Sequence, residues 1–257
     1  DILGNIFSIP SKILLLHWKV DRHNISSNTV SSLRRYLADN EMNSVKVRLN
    51  EYAPGGEWSR LFRNKSVGAG WRYTLGLFSA LGYTIFPGRL FGGDNFNPFT
   101  DTISIYSDLP TIAMHEAGHA KDATMRTYRG TYAAIRLIPL VALYQEALAT
   151  GDAIGYLRDK QITEKEKEAY KILYPAYATY IGGEASTFFD GPGYLFTLAA
   201  VIPAHIIGRC KAAGVNDVSE KSGGQCVQPV ENKTGASCTT LQDSVTVPAS
   251  SDEFPQQ

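Results

Sequence analysis

The chain has no surplus of either charge, with 25 Lys plus Arg against 25 Asp plus Glu in 257 residues. That removes the overall electrostatic footprint by which proteins bind nucleic acid or an anionic membrane, so partners must be recognised at a local site. Long apolar runs are also missing. Tyr132 to Leu143 is interrupted by Arg136 and Pro139, and Tyr194 to Ile207 by Pro203 and His205. Both fall short of the ~20 apolar residues of a spanning helix and read as buried core helices. Ile13 to Val20 is shorter still and reads as a strand or a surface-docking segment, which leaves peripheral membrane association open. No charged n-region followed by a small-residue cleavage site opens the sequence, so an intact signal peptide is not expected.

Cysteine is scarce, at three residues. Cys226 and Cys238 flank a polar loop and are either a disulfide or free thiols, and Cys210 at the end of an apolar run reads as a buried thiol. The Cys pair and the loop-rich tail around it point to an exported location, periplasmic or cell-surface, with room for a membrane tether upstream of Asp1. There is no internal repeat, and nothing in the sequence bears on oligomeric state.

What the chain does have is enough apolar mass to fold, since 44% of residues are hydrophobic and 19% charged. A disordered or fibrous protein is excluded, and one core is expected. Val30, Leu33 and Leu37 predict a helix over residues 27–40; Val45, Val47 and Leu49 alternate as a strand; residues 57–64 suit a short helix. The Gly-rich aromatic stretch from Gly68 to Gly93 is expected to hold a strand near Tyr83 to Phe86. Asp94 to Pro98 reads as a turn, and Ile103 and Ile105 mark a second clear strand over 102–106. Pro110 then opens a helix to about Arg126, followed by helices reaching through Glu146 to about Leu157, from Glu164, and over residues 193–211. The expected fold is α+β: a single domain over residues 1–213, with a small mixed sheet above a mainly helical lower half, and a polar C-terminal tail over 214–257.

The residues that carry chemistry are His115-Glu116-Ala117-Gly118-His119. Positions four apart on a helix differ by only about 40°, so both imidazoles leave one face a turn apart and can reach one ion, with Glu116 beside them. Neutral imidazoles suit zinc, whose catalytic sites commonly have three protein ligands and a water. In that setting Glu116 is the general base for the water. With 5 His in the chain, random placement gives this pattern in only about five sequences per thousand.

The motif, on a helix directly after the strand ending in Ile105-Tyr106-Ser107, resembles the zincin metallopeptidases, over about residues 27–157. The resemblance implies a peptide or protein substrate held by strand addition on the strand before the motif helix, here Thr102 to Tyr106 taken as the sheet edge. Lys121 to Gly130 contains no His, which removes the metzincin subgroup and leaves a gluzincin-like chain, in which a Glu on a later helix completes the metal sphere. Glu146, on an apolar helix 27 positions after His119, is the first choice for that third ligand, since a buried Glu needs a partner. Glu184, among small residues, is the alternative. Asp152 and Asp122 are candidates for orienting a ligand His, with ordinary surface carboxylates as the plainer reading. His205 and Arg209 are candidates for stabilising an oxyanion, against a core His and a solvated Arg. His17 and His23 have no metal-like companions. The expected activity is zinc-dependent peptide hydrolysis. Two alternatives are a zinc-bound but inactive surface scaffold and an amidase acting on a non-peptide substrate.

Overall fold

The alternating segment after Val45 forms β1 (Lys46–Leu49), the Asn-containing stretch before Pro98 forms β2 (Asn95–Asn97), and the Ile103/Ile105 segment forms β3 (Thr102–Ile105). These elements belong to a computed structural model that describes residues 2–91 and 93–216. The strand order is β1-β3-β2. Val47 and Phe96 both face Ile103, the first across a parallel pair and the second across an antiparallel one.

This order corrects the expected edge. All four residues of β3 are buried and it lies between two neighbours, whereas β1 and β2 are the outer strands. Asn95 and Asn97 have poor strand propensity, so their sequence reads as a turn; pairing with β3 overrides it. In β1 the buried residue is on the polar side, while Lys46 and Leu49 are exposed. That residue, Arg48, is buried with its Nε 2.7 Å from Glu57 Oε1, which also accepts from Thr102 Oγ1 at 3.1 Å.

The helices, in chain order, are α1 (Ile2–Phe7), α2 (Ile9–Leu14), α3 (Ser27–Asp39), α4 (Pro54–Arg63), α5 (Ala69–Arg72), α6 (Leu75–Ile85), α7 (Gly88–Phe91), α8 (Pro110–Thr124), α9 (Arg129–Ala134), α10 (Val141–Asp159), α11 (Thr163–Phe188) and α12 (Gly193–Ala213). The motif helix α8 is the hub. It lies under β2 and β3 and packs on α3, α10 and α11. Ala113, Ala117 and Ala120 keep it narrow, and Leu33, Tyr36, Ile105, Leu157 and Leu173 complete the surrounding core. A second small cluster, Leu61, Val67, Ala80 and Phe99, sits under α4 and α6.

Several expectations change. Tyr83 to Ile85 end helix α6 and are not a strand: Thr84 Oγ1 bonds back to Ala80 O at 2.7 Å, and Gly76 and Ala80 pack against the second cluster. Only the start of Ile13 to Val20 is regular, as the end of α2. The apolar run from Tyr132 is broken at Pro139, after a short 3-10 turn, and Leu140 takes a left-handed φ of 72° before α10 begins. Cys210 is exposed rather than buried. Tyr194 to Ile207 does form a helix, but not a core one. Only the stripe Val201, His205, Gly208 and Ala212 is buried. The Cys226–Cys238 pairing and the tail from residue 217 onward lie outside the described residues.

Candidate metal centre

The close approach of α8 and α10 brings the site together. Gly118 faces the Ala149 backbone, and a Cβ built on it would lie 3.0 Å from the Ala149 carbonyl oxygen and 3.2 Å from its Cα. A side chain there would push the helices apart. Glu146, one turn before Ala149, therefore reaches both imidazoles: His115 Nε2 lies 3.0 Å from its Oε2 and His119 Nε2 3.3 Å from its Oε1. The two rings stand edge-on with centroids 4.7 Å apart. One ligand atom from each of His115, His119 and Glu146 lies within 4.8 Å of the others, and the group could hold a metal ion. Two nitrogens and one carboxylate oxygen, converging in a buried place, are a donor set of the kind zinc takes.

Electrostatics separate the groups. Burial works against the Glu146 carboxylate, but bonds from His115 and His119 overcome it and hold its pKa well below the ordinary range. Burial pushes the His119 imidazole down, towards the neutral form a metal needs. For His115 burial pulls the pKa down, but the bond to Glu146 and the charges of Glu116 and Glu146 together lift it above the ordinary value. Glu116 is pushed up to about 8, first by burial and then by the neighbouring Glu146 and Asp94, with His115 opposing.

Three site residues were not singled out from the sequence. Thr150 Oγ1 lies 3.3 Å from His115 Nδ1, on the far side of the ring from Glu146, so a donating Nδ1–H fixes the tautomer that points Nε2 into the site. Arg136 forms an ion pair with Glu146 Oε1 and bonds Gln145 Oε1 at 3.2 Å, and its guanidinium stacks 5.8 Å from the Tyr180 ring centroid. Burial, then Glu146, raises the Tyr180 hydroxyl pKa. Arg136 had a legible signal, because a charge inside an apolar run needs a partner; Thr150 and Tyr180 had none.

Other candidates bond elsewhere. Glu184 Oε2 accepts the Leu140 N–H at 3.2 Å, pinning the turn before α10, and is not among the converging atoms. Asp152 bonds Tyr36 and Lys121, while Asp122 lines the cleft at the metal centre but bonds Tyr132 and Arg126 rather than a ligand His. His205 Nε2 meets the Leu14 carbonyl at 2.9 Å, and neither it nor the exposed Arg209 lines the cleft at the metal centre. His23 bonds Asn50 and His17 accepts from Lys19 N, neither near a metal-like set.

The centre opens into a cleft of about 210 Å³. Glu116, His119 and Glu146 form its floor, β2 residues Asn95 and Phe96 one wall, and Tyr132, Arg136 and Tyr180 another. Comparison with protein-family models, curated proteins and solved structures finds no match, so the functional reading rests on the site itself.

Proposed function

We propose that the chain is a zinc-dependent metallohydrolase of the gluzincin type that cleaves peptide bonds. The observation that carries this reading is the convergence of His115, His119 and Glu146 beside Glu116 on the floor of an open cleft walled by an edge strand. Bound by those three side chains, zinc supplies Lewis acidity toward water and a carbonyl oxygen. Glu116 takes the proton of the attacking water and returns it to the leaving amine. Burial raises the Glu116 pKa, and the positive charge of a zinc ion beside it would draw it back toward the ionised form that a base needs. A peptide adds to the free edge of β2 by main-chain hydrogen bonds, the role the sequence resemblance had assigned to β3. Arg136 and the Tyr180 hydroxyl, on the opposite wall, offer a cation and a donor to charge developing on the carbonyl oxygen, in place of His205 and Arg209.

The test is turnover of a mixed peptide library by the full chain, abolished by a chelator and restored by added zinc. Zinc uptake without turnover of any peptide would favour the scaffold reading, and turnover of cell-wall amides alone the amidase reading.

A further inference from the structure

Helix α12 has the wrong surface for a helix facing water. A soluble helix packed on one side turns charged and polar residues outward, yet from Gly193 to Gly208 it carries no Asp, Glu, Lys or Arg. Its buried stripe faces α11. Close contacts at Gly182 against the Thr197 backbone and Gly208 against the Tyr170 carbonyl make the two helices a tight antiparallel hairpin. The face opposite that stripe is apolar and uncovered: Tyr194, Leu195, Leu198, Ile202, Ile206 and Ile207 are 43–66% exposed. Among the described residues α12 is the single helix long and apolar enough to cross a membrane, and only 17% of its most apolar window is buried. Buried core helices give the opposite pattern.

The apolar surface continues beyond the helix. His205 bonds the Leu14 carbonyl at the end of α2, and near that junction Ile13, Leu16 and Trp18 are 60–72% exposed. Charge returns at the C-terminal end of α12 with Arg209 and Lys211. The contact of Gly208 with Tyr170 also sets this end level with the charged start of α11, Glu164 to Lys171. Charge therefore flanks both ends of the apolar face, with Arg209 and Lys211 at one end and exposed Asp190, in the α11–α12 connection, at the other.

We propose that the outer face of α12 is seated in the acyl boundary of a lipid bilayer, the helix lying along the membrane with Arg209 and Lys211 at one end, and Asp190 at the other, at the headgroups. The charge-free length from Gly193 to Gly208 is about 24 Å at 1.5 Å per residue, less than the ~30 Å hydrocarbon core, and Asp190 at its start opposes insertion end-on, so the helix lies on the bilayer without crossing it. Lipid fits this face better than a second protein chain. Protein interfaces are registered by roughly ten hydrogen bonds and a polar rim, and this face offers little beyond the Tyr194 hydroxyl; acyl chains need no such groups. The inference is independent of the metal centre.

The experiment is flotation of the full chain with vesicles of phosphatidylcholine and phosphatidylglycerol in 0.5 M NaCl, with and without chelator. The wild type is expected to float in both, because the anchor is apolar and needs no metal. The triple variant L198E/I202E/I206E should float at least tenfold less, while keeping the melting temperature and zinc uptake of the wild type. The single I202E, a mild change at an exposed position, should give an intermediate loss. Wild-type protein left at the bottom of the gradient, or variants that float like wild type, would overturn the proposal. So would a lipid-free wild-type dimer, by light scattering, that the triple variant dissolves, since the face would then belong to a second copy.

Discussion

Gly118 on α8 lies against the Ala149 backbone on α10, and this contact sets the distance at which Glu146 meets His115 and His119. The main-chain atoms of Ala149 cannot rotate away as a flexible side chain could. G118V is therefore expected to part the helices, costing about 1–3 kcal/mol as overpacking does, and to weaken zinc binding by tenfold or more. Thermal melting with a competitive zinc titration checks both. Wild-type zinc affinity in a folded G118V would show that the contact does not set the ligand spacing.

Glu146 and Glu184 separate cleanly. Glu146 faces both imidazoles and is 1% exposed, whereas Glu184 holds the Leu140 amide at the surface. E146A should weaken zinc by well over the 10- to 100-fold of a lost supporting contact, and E184A should leave affinity nearly unchanged while loosening the turn before α10. The reverse ranking in the same titration would move the third ligand to Glu184.

Thr150 is predicted to act through His115. T150V keeps the shape but removes the oxygen that accepts from Nδ1, so zinc affinity should drop roughly 10- to 100-fold with the fold intact. T150S, which restores the hydroxyl, should recover most of it. Equal loss in both variants would point to packing rather than orientation.

E116Q should retain zinc and the wild-type melting temperature yet lose hydrolysis by about 10²–10⁴-fold, the range for removing a general base. A zinc-loaded E116Q that hydrolyses at the wild-type rate would take Glu116 out of the mechanism.

How far the sequence could be read follows from the range of each interaction. His115, Glu116 and His119 are fixed by local helix geometry, so their grouping needs no tertiary knowledge. Glu146 is distant in sequence, but an acid on an apolar helix face announces a buried partner. Thr150 and Tyr180 were not legible because their roles depend on the rotation of α10 and α11 after the break at Pro139 and Leu140, which one sequence leaves undetermined. β2 failed for a similar reason: Asn95 and Asn97 prefer turns, and only pairing with β3 makes them a strand. α12 was read correctly as a helix but given the wrong surroundings, since apolar composition does not say whether protein or something else covers it.

The last prediction concerns Asp21, which sits outside the metal centre and makes stability depend on pH. Its carboxyl is buried, Oδ1 has no hydrogen-bond partner, and Asp94 is close enough to disfavour a second negative charge; burial first and Asp94 second push its pKa up to about 7, with Lys12 opposing. In the unfolded chain the group has its ordinary value of 3.8. Between these values the folded state holds the proton that the unfolded state has released, so stability should fall as pH rises from about 4 to about 7 and level off above it. At ~1.4 kcal/mol per pKa unit the loss is of the order of a few kcal/mol. D21N carries no titrating proton and should flatten this slope, making the variant more stable than wild type at pH 8 and close to it at pH 4. Urea midpoints at both pH values decide the matter. A wild-type midpoint that rises from pH 4 to pH 8 as steeply as that of D21N would show that Asp21 is ionised in the folded protein throughout.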